Sequence, residues 1–194
     1  MAKKESTFLN MFLTLLIVTA VSSLAASAVY NLTKGPIAEV ARMKQQRAIE
    51  QVMPGFTSYD EVRVMPLNGK DSLSMFKGIK DGAEIGTAVN TYTYVGYSGL
   101  FKIMVGFDNE GKIINTEVLE QKETPGLGTK MALPPFKDQF VGRNLADFGK
   151  TGIQVSKDGG VIDAITAATI TSRAFCDAVN RAYGAWEENK KDNK

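Results

Sequence analysis

The stretch Val161-Ile162-Asp163-Ala164-Ile165-Thr166-Ala167-Ala168-Thr169-Ile170-Thr171-Ser172 changes character half-way along. Its first part, residues 161–165, is apolar enough to read as a strand. Beyond the stretch, residues 172–188 set Phe175, Ala178, Val179, Ala182, Tyr183 and Trp186 at helical spacing. Such a stripe needs an apolar surface to lie on. Between the two lies a connection of small and hydroxyl-bearing residues. Small side chains let a ligand approach the backbone, and the free N–H groups and dipole at a helix start favour a phosphate. Thr166, Thr169, Thr171 and Ser172 add hydroxyls. A plainer reading competes, in which Thr171 or Ser172 simply caps the helix.

Upstream, the pattern is mostly that of strands. Residues 61–67 alternate, 73–79 run into the Lys80-Asp81-Gly82 turn, and 85–97 are rich in Thr, Tyr and Val. Residues 100–108 and 112–121 flank Asn109-Glu110-Gly111, a hairpin signal. Phe101, Ile103, Val105 and Phe107 would share one face. Glu123-Thr124-Pro125-Gly126-Leu127-Gly128 then breaks the pattern with a proline and two glycines. By residue type alone it is a turn leading to a short helix at 136–140. Residues 153–156 and 161–165 read as strands about Asp158-Gly159-Gly160. Strands followed by a terminal helix predict an α+β domain with an antiparallel-rich sheet.

The other end of the chain is different. No charged residue lies between Glu5 and Lys34. Residues 8–30 as a helix would be roughly 35 Å long, enough to cross a hydrocarbon core with some tilt. The hydroxyls of Thr14, Thr19, Ser22, Ser23 and Ser27 can bond back to helix carbonyls. A cleaved signal peptide is the competing reading, with Lys3 and Lys4 at its basic end and Ala26-Ser27-Ala28 as a cleavage site. Its uncharged stretch is long for that purpose. Lys3 and Lys4 favour a cytoplasmic N-terminus, whereas Lys34, Arg42, Lys44 and Arg47 argue the opposite way. Pro36 suits the first position of a helix over residues 36–53, stopped by Pro54-Gly55.

Composition narrows the chemistry. The 194 residues include no histidine and one cysteine, Cys176. Ser-His catalysis, histidine ligation, an internal disulfide and cysteine-held clusters are therefore excluded. No set of metal ligands and no catalytic residue is expected in the chain itself. A formal net charge of +2 gives no electrostatic reason to expect nucleic acid as a partner. Cys176 and Trp186 read as core residues, and Tyr92 with Tyr94 as strand packing rather than a stacking platform.

Asp163-x-x-Thr166-x-Ala168-Thr169 followed by Thr171-Ser172, with the loop 123–128 before it, resembles the FMN-binding domain of bacterial respiratory complexes. The likeness runs from about Tyr97 to Trp186 and takes in Gly96-Tyr97-Ser98-Gly99, Val105-Gly106-Phe107-Asp108, Asp158-Gly159-Gly160 and Ser172-Arg173-Ala174. With its single anchor and short length, the whole chain is similar to the G subunits of Rnf electron-transport complexes. The C subunit of the sodium-translocating NADH:quinone reductase shares the domain and is the alternative within this class. A membrane-tethered scaffold without cofactor is the alternative outside it.

The resemblance implies FMN held by a phosphoester to Thr169, made from FAD by a flavin transferase that uses magnesium. Asp163, Thr166 and Thr169 would be the residues the transferase reads, although Asp163 could also be an ordinary helix-start carboxylate. Glu123, Thr124, Leu127 and Gly128 would lie against the flavin, with Lys130 near the phosphate and Thr166, Ala167 and Ala168 beside it. Glu123 either touches the flavin or only pins its loop. Where the family usually has glycine this chain has Ala167, tolerable at negative φ and costly at positive φ.

The implied role is that of a redox subunit in an ion-translocating complex coupling ferredoxin:NAD electron transfer to ion movement. Its partners would be the other subunits. Its place would be the inner membrane, single-pass, with the domain on the periplasmic side. The expected organisation is a cytoplasmic N-terminus at 1–7, a transmembrane helix at 8–30 and a stalk helix at 31–55. A strand-rich extension at 56–96, the FMN-binding domain at 97–188 and a frayed tail at 189–194 complete it.

Overall fold

A computed structural model of the chain describes residues 7–66 and 69–192. Two compact units divide between Met43 and Lys44. The first is formed by most of helix α1, Phe8–Val52. Phe8, Leu9, Phe12, Leu16, Val21 and Leu24 stand exposed along it. Among the described residues α1 is the helix long and apolar enough to cross a membrane. Thr14, Thr19 and Thr33 donate their hydroxyls to the carbonyls of Asn10, Leu15 and Val29. These groups thereby need no outside partner in lipid.

Pro36 lies inside α1 rather than at the start of a separate stalk helix, so the expected break near residue 31 is absent. Proline removes one helix bond and crowds the residue before it. Here that residue is Gly35, which has no Cβ to clash and open space around it.

In the second unit, five strands follow in antiparallel order β1-β2-β3-β4-β5 among the described residues. They are β1 Ser58–Val64, β2 Leu73–Lys80, β3 Ala83–Gly96, β4 Gly99–Phe107 and β5 Ile113–Glu120. The expected boundary between residues 96 and 97 falls at the β3–β4 turn inside one sheet, so the segment expected as an extension supplies β1, β2 and β3 of that sheet. Met75, Val89 and Val105 are in register across β2, β3 and β4. Together with Phe101, Ile103 and Phe107 they form one fully buried face. A short helix α2, Pro134–Lys137, comes after the sheet. The long helix α3, Thr169–Asp192, covers the buried face with Ala174, Phe175, Ala178, Val179 and Ala182. The opposite face of the sheet, through Phe76, Ala88 and Met104, meets Ala48, Ile49, Val52 and Met53 at the end of α1 and just beyond it. Approach there is so close that a Cβ on Gly106 would lie 1.9 Å from the Val52 carbonyl oxygen.

Three expectations need correcting. Residues 153–156 and 161–165 form no strands, only an isolated parallel bridge between Val155 and Ile162 around a 3-10 turn, Ser156–Asp158. Ile153, Val155, Ile162 and Ile165 are buried, so their apolar pattern signalled burial and not pairing. Helix α3 begins three residues before the expected start. It also continues to Asp192, so the tail expected as frayed is helical through that residue; residues 193–194 lie outside the described ones. The short helix expected at 136–140 is α2, placed two residues earlier and followed by a 3-10 turn, Asp138–Phe140.

Candidate functional site

Three segments converge where α3 begins. Tyr97 comes from the β3–β4 turn. Glu123, Thr124, Leu127 and Gly128 come from the loop after β5, and residues 167–171 from the start of α3. They line one cleft of about 460 Å³. Asp163, Thr166 and Lys130 are exposed and do not line it. Thus Glu123, Thr124, Leu127, Gly128, Ala167, Ala168 and Thr169 are brought together, whereas the other three expected site residues stand apart. Tyr97, Ile170 and Thr171 line the cleft although the sequence did not assign them to it.

Among the described residues no side chain caps the helix start. Ala168 precedes Thr169 and has no polar atom with which to cap. Thr171 and Ser172, the two capping candidates, serve other partners. Thr171 donates its hydroxyl to Glu123 Oε2 at 2.7 Å. Ser172 accepts the Ile165 N–H at 2.9 Å and donates to the Ala168 carbonyl at 3.0 Å. Ser172 therefore braces the connection, while the first helix bond runs from its own N–H to the Ala168 carbonyl. Geometry leaves the preceding N–H groups, at Thr169, Ile170 and Thr171, pointing out of the helix end.

Glu123 is the hub of the cleft wall and is only 4 % exposed. Its Oε1 accepts the Ser98 N–H at 3.1 Å, and its Oε2 accepts the Thr171 hydroxyl. Of the two roles open to Glu123, the hydrogen bonds supply the pinning one, since both oxygens have protein donors. The space is tight: a Cβ on Gly128 would come within 2.6 Å of Glu123 Oε2 and 2.8 Å of Thr171 Oγ1. Only glycine fits this approach.

On the outer side of α3, the turn Ser156–Asp158 reaches the same helix. Arg173 grips Asp158 with Nε and Nη2 at 2.7 and 2.6 Å. This guanidinium holds the Asp158 carboxyl below its usual range. Lys157 Nζ donates to Thr169 Oγ1 at 3.3 Å. Nothing in the spacing assigned Lys157 to the site; the available signal was its position directly before Asp158-Gly159-Gly160. Cys176 is buried, and desolvation pushes its thiol up to about 12, which fits a core residue. Asp163 is held at its backbone by Gln139, whose side chain bonds both its N–H and its carbonyl, while its Oδ1 accepts the Ser156 hydroxyl.

Ala167 has φ +61. The costly alternative therefore applies, at about 1–2 kcal/mol for a residue with a Cβ. Replacing it with glycine gives back part of that through the freer unfolded chain. Ala167→Gly is expected to gain about 0.5–1 kcal/mol, a rise of about 1–4 °C in the thermal midpoint. An unchanged or lower midpoint in differential scanning fluorimetry would refute the strain.

A family model described as FMN-binding domain matches residues 96–184. The G subunit of the ion-translocating oxidoreductase complex of Escherichia coli strain K12 is 32% identical over 179 residues, covering 88% of this chain and 86% of that one. Its namesake from Salmonella typhi is 35% identical over 172 residues, covering 84% of each. Among solved structures, the C subunit of the Na(+)-translocating NADH-quinone reductase from Parabacteroides distasonis is similar at 24% identity and a TM-score of 0.49. The match covers 58% of this chain and 60% of that one.

Proposed function

The chain belongs to the family of G subunits of ion-translocating oxidoreductase complexes, and from that premise we propose that its cleft holds FMN, joined to Thr169 by a phosphoester. It is a redox subunit of such a complex, and it works with the other subunits rather than alone. The name its relatives carry, matched over most of both chains, favours an Rnf-type assembly over the quinone-reductase one. The match to an FMN-binding domain favours a cofactor-bearing protein over a bare scaffold. In this reading the complex moves electrons between ferredoxin and NAD and couples that flow to ion movement.

One observation carries the site assignment: Thr169 is the first residue of α3 and lines a cleft walled by the loop 123–128. The residues present fit the group. A volume of about 460 Å³ is within the range of small-molecule sites. Tyr97, Leu127, Ala167 and Ile170 offer apolar surface to a planar ring system. At the other end, uncapped N–H groups meet the charge of a phosphate, a contact of about 0.3–1 kcal/mol when exposed. That contact is too weak to keep a cofactor for the life of the protein, whereas an ester to Thr169 is permanent.

When bound, the flavin supplies the electron-carrying chemistry. The chain's own residues position it. Thr169 Oγ1 is the tether, Gly128 lets the loop approach, and Glu123 fixes the distance between the loop and α3 through Thr171. Asp163 and Thr166, exposed and outside the cleft, are accessible to a modifying enzyme, which supports their assignment to flavin-transferase recognition. Lys130 stands exposed on the 3-10 turn after the loop and outside the residues that line the cleft.

The domain is assigned to the periplasmic side, with α1 as a single membrane anchor. Protease added to intact spheroplasts is expected to digest residues 44–194 and leave the anchor. Full protection until the membrane is opened would reverse the assigned sidedness. Intact mass tests the cofactor: protein from the native cell should be heavier than its sequence by FMN less one water.

A further inference from the structure

We propose that Lys157 pairs with the phosphate esterified to Thr169 and speeds formation of that ester; the proposal rests on the assignment of Thr169 above. Lys157 Nζ lies 3.3 Å from Thr169 Oγ1. Its place is set by the chain around it. Ser156 N–H donates to the Ile162 carbonyl at 2.7 Å and Asp158 N–H to the Val155 carbonyl at 2.9 Å. Asp158 then makes its two-pronged bond to Arg173. Thr169 and Arg173 are four residues apart on α3, one turn or about 6 Å along the axis. Two consecutive residues of the turn thus grip successive turns of one helix, and the ion pair sets the register that brings Lys157 to the hydroxyl.

Among the described residues no carboxylate pairs with Lys157, and its hydrogen-bond partner is a neutral hydroxyl. An ordered lysine loses rotamer freedom, and a bond of 3.3 Å to a neutral oxygen returns little. An anion on that oxygen would make the same arrangement favourable. The uncapped N–H groups at the start of α3 include that of Thr169 itself, so both positive features belong to the same end of the helix.

The step itself balances without any redox change. With FAD as donor, Thr169 Oγ1 forms a bond to the flavin-side phosphorus and the pyrophosphate P–O bond breaks. AMP leaves with the electron pair, and the hydroxyl proton is lost to AMP or solvent. Lys157 stays protonated throughout. It faces the negative charge that gathers on the phosphate oxygens, and afterwards it pairs with the diester.

The test uses the full chain in detergent with purified flavin transferase, FAD and magnesium, following incorporation by intact mass and in-gel fluorescence. Lys157→Met should load about five- to tenfold more slowly, equivalent to about 1–1.4 kcal/mol. Lys157→Arg should stay within about twofold of wild type, since it keeps the charge. The gap between wild type and Lys157→Met should narrow as salt is raised, because exposed charges are screened. Thermal midpoints of the three should agree.

Wild-type loading by Lys157→Met, or equal slowing in both variants, overturns the role of the lysine while Thr169 stands. If instead Thr169→Val still gains flavin, or wild type gains none, the assignment of Thr169 fails and this proposal with it.

Discussion

Thr169→Val protein, made in cells that load the wild-type chain, will carry no flavin after denaturation, and its intact mass will equal that of its sequence. Valine is the right replacement because it keeps the branched shape and removes only the hydroxyl. The side chain sits at the first position of α3 on the rim of the cleft, with Lys157 as its hydrogen-bond partner. Substitutions at such positions usually change stability by about 0.5 kcal/mol or less. The variant should therefore fold, and circular dichroism with a thermal midpoint near wild type would establish that it has. Without an oxygen at this point the nearest hydroxyls cannot take over. Thr171 faces Glu123 from inside the wall, Ser172 is buried against the connection, and Thr166 lies outside the cleft. The expected effect is all or nothing. A fluorescent band surviving in Thr169→Val would overturn the assignment of Thr169 as the tether, because Thr171, the other helix-start hydroxyl lining the cleft, is committed to Glu123.

The fold was legible where periodicity had one meaning. The shared face of Phe101, Ile103, Val105 and Phe107 in β4 and the helical stripe from Phe175 to Trp186 each point to one buried side, and the structure buries that side. Legibility failed where a pattern had two meanings. Ile153, Val155, Ile162 and Ile165 looked like strand residues, yet they are buried without a ladder, since apolar spacing reports burial and not hydrogen bonding. Pro36 looked like a helix start because proline is favoured there, but a glycine before it lets the helix pass through. The cleft shows the same division. Thr169 and the loop 123–128 could be picked out through the resemblance of their motifs to the FMN-binding domain, since their residue types alone also allowed a helix start and a plain turn. Lys157 and Ser98 could not, because an exposed lysine and a backbone N–H carry no signature in a sequence. Only the folded chain brings residue 157 to 169 and residue 98 to 123.

Glu123→Ala is expected to have the second largest effect, a loss of about 3–5 kcal/mol with a distorted cleft. Hydrogen bonds to a charged group are worth about 1.5–3 kcal/mol each, and stranding a buried donor adds to the cost. Glu123 makes one such bond to the Thr171 hydroxyl and one to the Ser98 N–H, and both would lose their acceptor together. Water entering from the cleft can recover part of this, which keeps the estimate below the simple sum with its stranding cost. Glu123→Gln is the informative companion. It keeps the shape and one good acceptor, and the Thr171 hydroxyl can turn to accept from the new amide, so the loss should fall to about 1 kcal/mol. A double-mutant cycle with Thr171→Val isolates the shared bond and should give a coupling of about 1–2 kcal/mol. Urea unfolding of the detergent-solubilised chain measures all four species. The structural claim is that three separate segments are held at cleft distance by one carboxyl group. If Glu123→Ala unfolds within about 0.5 kcal/mol of wild type, the spread expected for surface changes, that claim fails and the cleft must be shaped by packing alone.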